Sequence, residues 1–207
     1  MNLTSNSLEA GERCPEKHAF CVATDEGKAT LGPNVSPHLH WSLEPAGTKS
    51  FAVICCDVDA PQDKSDANQD GKTIPYDMRR KDFYHWVLVD ILPTLTELVE
   101  GVESNGITAR GKLRGRRDVG VSGRNSYTEW FEGDPDMDGT YGGYDGPCPP
   151  WNDERLHHYH FTVYALDVAN LGLSGDFSGD DALAAMDGHV LAQAEMLVTY
   201  AENPDAR

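Results

Sequence analysis

Apolar residues come in short runs along this chain, and each run stops at a proline, a glycine or an acid. Phe51-Ala52-Val53-Ile54-Cys55-Cys56 gives way to Asp57-Val58-Asp59-Ala60-Pro61, Trp86-Val87-Leu88-Val89 follows His85 directly, and an alternating stretch from Tyr159 to Leu166 follows His157-His158. Short β-branched and aromatic runs bounded by turn formers predict strands, here over 51–56, 86–92 and 159–166. A briefer alternation, His38-Leu39-His40-Trp41, lies between a turn-rich segment and Pro45-Ala46-Gly47 and predicts one more. Thr94 with Glu97 three residues on has the pattern of a capping box, which predicts a helix of about two turns ending at Gly101. Asp180-Asp181 ahead of Ala182–Met186 predicts a short helix with acids at its dipole-positive end. Gly188 is expected to interrupt it, 189–194 to resume it, and 195–200 to form a closing strand.

The polar regions 62–82 and 104–156 read as long loops, a class that is either functional or disordered in compact domains. Short strands, long loops and few helices favour a mainly β fold, a β-sandwich, over a βαβ arrangement. The length suits a single domain over 1–207.

Charge narrows the function classes. Against 17 basic residues stand 34 acidic ones, a net charge of -17, and such a field disfavours binding to nucleic acid or to anionic lipid surfaces. Six basic residues nevertheless cluster at Arg110, Lys112, Arg114, Arg116, Arg117 and Arg124. They could steer an anion or an acidic partner; without interleaved aromatics they make a poor nucleic-acid surface. The acid-rich, lysine-poor surface fits a salt-rich cytoplasm, as in a halophilic archaeon, or else an ordinary acidic protein. No apolar stretch is long enough to span a membrane and the first residues lack a signal-peptide pattern, so a cytoplasmic protein without membrane insertion is expected. Five cysteines and no secretion signal predict free thiols rather than a disulfide framework. Cys14, His18 and Cys21 lack a fourth metal ligand and match no standard spacing, so loop or core cysteines are expected there.

The candidate chemistry lies at the strand ends, where polar groups sit on a rigid frame and still meet a ligand. Asp57 and Asp59, two apart in an extended strand, would point to one side and could share a proton, bind a cation or orient a histidine; the alternative is a solvated Asx turn. His85 and His157 each open an apolar strand, with Tyr159 on the face of His157 and with His158 and His160 on the other.

With these motifs in order, together with Tyr144-Asp145-Gly146-Pro147-Cys148-Pro149-Pro150, the chain resembles the phosphatidylethanolamine-binding protein family over about 30–201, in its prokaryotic Raf-kinase-inhibitor-like branch. The resemblance implies a β-sandwich with a large central antiparallel sheet, short peripheral helices, and a small pocket for phosphate-like anions or phospholipid head groups. It places Asp57, Asp59, His85, Gly146, Pro147, His157 and Tyr159 at that pocket. Where the family's signature has a proline after the first aspartate this chain has Val58, expected to keep the apolar packing while freeing φ and adding a backbone donor. A restrained partner protein and a homodimer are further implications.

The working expectation is a non-catalytic anion-binding module without a cofactor. His85 and His157 would donate to phosphate-type oxygens, loop N–H groups near Gly146 would complete the cradle, and Asp57 would hold a histidine's tautomer and raise its pKa. The alternative is a hydrolase of small esters or phosphoesters using the Asp and His pair. No Gly-x-Ser-x-Gly element marks a nucleophile, and Cys148 between prolines reads as structural. Zinc-like ligation by the same residues is the third option.

Overall fold

A computed structural model describes residues 1–207. Its strands, in chain order, are β1 (Asn2–Thr4), β2 (Cys21–Ala23), β3 (Ala29–Leu31), β4 (Leu39–Ser42), β5 (Ser50–Pro61), β6 (Arg80–Ile91), β7 (Glu97–Leu98), β8 (Gly115–Arg116), β9 (Val121–Ser122), β10 (His157–Leu166) and β11 (Val190–Tyr200). Two short helices, α1 (Tyr127–Trp130) and α2 (Gly179–Met186), complete the set. Six strands form the large sheet in the order β11-β10-β5-β6-β9-β8, β1-β4-β7 form a smaller one, and β2 pairs with β3. Every pairing in these sheets is antiparallel. The mainly β expectation therefore holds.

The unbroken apolar run in β5 has a direct cause: both faces of the strand are covered, so neither parity of the pleat meets water. Phe51, Val53 and Cys55 join Trp41 and Leu39 of β4, Trp86 and Leu88 of β6, Phe161 and Val163 of β10, and Val198 of β11 in the main core between the two sheets. Ala52 and Ile54 face the other way and pack with Val87, Val89, Ala182 and Met186 beneath α2. In β10 the expected parity appears: Tyr159, Phe161 and Val163 are buried, while His158 and His160 are partly exposed.

Three expectations about elements are corrected. The segment after Pro93 forms a turn and then β7, because Leu98 is needed opposite Leu39 to close the small sheet and Glu97 accepts from His38 Nε2 at 2.9 Å instead of capping a helix. A helix of about two turns is marginal on its own, so strand pairing wins. Residues 189–194 do not resume α2; beyond Gly188, at φ 77°, His189 completes the turn and 190–194 form the first part of β11, paired along β10. The strand expected over 86–92 begins six residues earlier, at Arg80, where Arg80 and Lys81 pair with Pro61 and Ala60. The acids at the start of α2 behave as expected: Ser178 and Asp181 form a reciprocal capping box.

The thiol expectation is also corrected at one pair. Cys21 on β2 and Cys148 form a disulfide across 127 residues of sequence, which also removes Cys21 from the trio with Cys14 and His18. Cys14, Cys55 and Cys56 remain free. No helix is long and apolar enough to cross a membrane.

Candidate functional site

Two irregularities in the pairing of β5 with β6 build the site. Cys55 stands opposite Trp86 and Cys56 opposite Tyr84, so the register skips His85. This bulge inverts the pleat: Tyr84 packs beneath α2 while Trp86, two residues on, packs in the main core. Bulges of this kind re-aim a side chain beside functional sites, and here the residue between the two faces is His85. The second irregularity lies between Asp57 and Ala60. It adds a residue to β5 and breaks the alternation that would have put Asp57 and Asp59 side by side.

The two aspartates accordingly part company. Asp57 Oδ2 accepts from His157 Nδ1 at 2.7 Å, and its Oδ1 accepts from the Asp59 backbone N–H at 2.8 Å, so the Asx bond and the histidine bond coexist in one carboxylate. Asp59 turns instead to His158 Nδ1 at 2.8 Å and Arg155 Nη1 at 3.2 Å and does not line the cavity. Val58 is 40% exposed, so the expectation that it keeps the apolar packing is corrected.

A buried chain of charges runs behind the cavity. His157 Nε2 lies 3.2 Å from Asp153 Oδ2, and Asp153 receives Arg80 through both terminal guanidinium nitrogens, Nη1 and Nη2, at 2.5 and 3.0 Å. Both imidazole nitrogens thus face carboxylates, which accept only, so the ring is the doubly protonated imidazolium. Burial alone would lower the pKa of His157, but the attraction of Asp57 and the hydrogen bonds to Asp153 and Asp57 outweigh it and raise it to about 9. Burial likewise works to raise Asp153, and the bonds from His157 and Arg80 prevail and hold it below the usual carboxylate value. Two anions and two cations, all alternating, make the cluster neutral overall.

His85 is different. Its Nδ1 is 2.7 Å from the carbonyl oxygen of Asp145, which can only accept, so Nδ1 carries the proton and the neutral ring leaves Nε2 bare. Burial pushes its pKa down, against the pull of Asp57 and of the backbone bonds at Asp145 and Gly146. Asp145 is itself fixed by Asn34 Nδ2 at 2.7 Å, Lys112 Nζ at 2.8 Å and Asn125 Nδ2 at 2.8 Å. The His85 ring meets Tyr159 and Tyr127 edge-on at centroid distances of 5.1 and 5.6 Å.

The cavity between these rings measures about 20 Å³, room for roughly one water-sized group. Asp57, His85, His157 and Tyr159 all line it, together with Phe83, Tyr127, Trp130 and the wall Cys148-Pro149-Pro150. Gly146 and Pro147 do not line it. Gly146 supports the wall from behind: its carbonyl accepts from Tyr127 Oη at 2.7 Å, and an added Cβ would stand 1.8 Å from the His18 carbonyl oxygen. The Pro147 carbonyl is taken by Phe20 and Cys21 N–H groups. Asp153 and Arg80 were not marked in the sequence; the one available signal was the placement of Asp153 four residues before His157.

Comparison with known proteins bears on the family and the fold. Residues 4–201 match the family model described as phosphatidylethanolamine-binding protein. The chain is 32% identical over 200 residues to a UPF0098 protein of Methanothermobacter thermautotrophicus, covering 97% of this chain and 98% of that one. It is equally 32% identical to the UPF0098 protein YbhB of Escherichia coli over 97% of this chain and 99% of that one. Among solved structures, Escherichia coli YbcL, described as a new member of the mammalian PEBP family, superposes with a TM-score of 0.67 at 30% identity over 97% of each chain. Relatives from a methanogen and an enteric bacterium lend no support to a halophilic origin. The fold, the ordered motifs and these relatives place the chain in the phosphatidylethanolamine-binding protein family.

Proposed function

We propose that the pocket binds, without turning it over, the phosphorylated end of a small organic molecule, a phosphomonoester or phospholipid head group. The observation that carries this reading is His85 Nε2, the ring nitrogen left bare by the Asp145 bond at the edge of a cluster whose other charges already cancel. A phosphate oxygen reaching His85 needs a proton between them, supplied either by protonating the ring or by the ligand's own P–OH, whose second pKa is about 6. Either way the complex holds one proton more than the separated neutral ring and dianion. His157, with both nitrogens engaged, contributes orientation and field rather than a direct bond. The rim of Phe83, Tyr127, Trp130, Pro149 and Pro150 favours a ligand whose phosphate carries an organic substituent, since bare phosphate would leave those rings against water. The lining offers no serine or threonine, and Cys148 is in a disulfide; the hydroxyls present are the phenols of Tyr127 and Tyr159, which burial holds protonated, a poor state for nucleophilic attack.

Calorimetry with phosphoethanolamine tests the proposal. Affinity should be at least about tenfold higher at pH 5.5 than at pH 8, the linkage expected for one added proton, and His85→Ala, checked for folding by its melting curve, should lose it. Equal affinity at the two pH values, or unchanged binding in the variant, would sink the reading. Turnover of a chromogenic phosphomonoester that depends on His85 would point to the hydrolase instead.

A further inference from the structure

The basic cluster does not flank the pocket. Arg110, Lys112, Arg114 and Arg117 converge on a separate cleft of about 850 Å³ between the 101–106 turn, the 110–117 loop and the 140–142 segment. In a chain with twice as many acids as bases, the lining of this cleft holds four basic residues and one acid, Glu103. That carboxylate is already occupied, by Ser122 Oγ at 2.6 Å and by Arg117 Nε at 3.8 Å. The Lys112 ammonium is turned inward, donating to Ser104 Oγ, the Tyr144 carbonyl and Asp145 Oδ1, and supplies field rather than a free donor. The arginines are less committed. Arg110 spends one Nη on the Pro135 carbonyl, Arg114 Nε lies 3.5 Å from Asp176, and Arg117 Nη1 donates to the Leu113 carbonyl. A guanidinium has five N–H donors, so each keeps several for another acceptor. Gly106 on the rim has open space where a side chain would stand, which leaves its backbone approachable.

The lining also says what does not bind. It contains no aromatic ring, so a nucleobase or a single strand would find no platform to stack on, and the net charge of -17 opposes a long nucleic acid. With two hydrophobic residues among sixteen, an acyl chain finds no apolar wall. The room exceeds what one phosphate needs.

We propose that this cleft binds a polyphosphorylated small molecule of the inorganic or sugar polyphosphate kind, independently of the pocket. Arg110, Arg114 and Arg117 grip the phosphates by charge-assisted, fork-like hydrogen bonds. The cleft and the pocket stand back to back on Asp145, whose side chain holds Lys112 and whose carbonyl holds His85.

Titration calorimetry with sodium tripolyphosphate at low salt and pH 8, where the pocket is expected to bind weakly, tests the assignment. The wild type should bind one equivalent, with log K falling linearly as log salt rises, and ATP should bind no tighter than tripolyphosphate. Arg110→Gln with Arg114→Gln, both exposed positions, should weaken binding about tenfold or more per arginine and leave phosphoethanolamine binding at pH 5.5 unchanged. His85→Ala should bind tripolyphosphate as the wild type does. The proposal is overturned by no saturable binding to the wild type, by wild-type affinity in the double variant, or by loss confined to His85→Ala, which would put the anion in the pocket.

Discussion

Histidines at the starts of apolar runs are visible without a structure because an imidazole opening a strand has few structural reasons to be there; His85, His157 and the neighbouring Asp57 were legible on that ground. Asp153 and Arg80 were not, since their importance lies in a hydrogen-bond chain joining residues 73 positions apart; the local pattern offers only the spacing of Asp153 four residues before His157 and nothing at Arg80. Asp59 misled for a third reason: period-two reasoning assumes an unbroken strand, and the bulge beyond Asp57 voids the assumption. The charge chain has a pH signature. His157 is raised to about 9 from 6.5, so its stabilising contribution is complete below pH 6.5 and disappears as pH rises through 9. Asp153 is lowered from 3.8, so its contribution is present above that value and disappears as pH falls through its folded pKa. Urea unfolding should therefore show greatest support from this cluster between about pH 4 and 6.5, with roughly 3 kcal/mol withdrawn by pH 10. In Asp153→Asn the alkaline loss should shrink. A wild-type midpoint flat from pH 6 to 10 would remove the cluster from the stability of the fold.

At the scale of elements, the central strands were readable because burial on both faces leaves an apolar run that no helix of that length would need. What failed were segments whose state is set by a distant partner. Thr94 and Glu97 carry a helix-start pattern, yet Leu98 is claimed by β4; the residues after Gly188 look helical, yet β10 recruits them. The Cys148-Pro149-Pro150 wall belongs here too, because no spacing rule pairs Cys148 with Cys21. That bond ties the wall of the pocket to the small β2-β3 hairpin. Reduction, or Cys21→Ser with Cys148→Ser, should lower unfolding free energy by about 2–5 kcal/mol. Superimposable urea curves with and without dithiothreitol would show that the bond contributes nothing to the folded state.

For the whole molecule the dominant quantity is a net charge of -17, spread over a surface that holds its basic residues partly in one cleft. Self-repulsion of this size is screened as the Debye length shrinks from about 10 Å at 0.1 M salt to about 3 Å at 1 M. The thermal midpoint should accordingly rise with sodium chloride across that range; a flat or falling midpoint would mark an ordinary acidic protein whose charges are already balanced locally. Charge and composition made that field legible at once, whereas the cleft was not, because six basic residues in a loop say nothing of where the loop folds. The disulfide has one more consequence, for the integrity of the chain rather than its energy. Most of the region from 62 to 73 is exposed and lies between Cys21 and Cys148, inside the covalent ring. A protease that cuts there opens the ring but releases nothing: both pieces stay bonded, and the nicked molecule runs at its full mass until a reductant separates them.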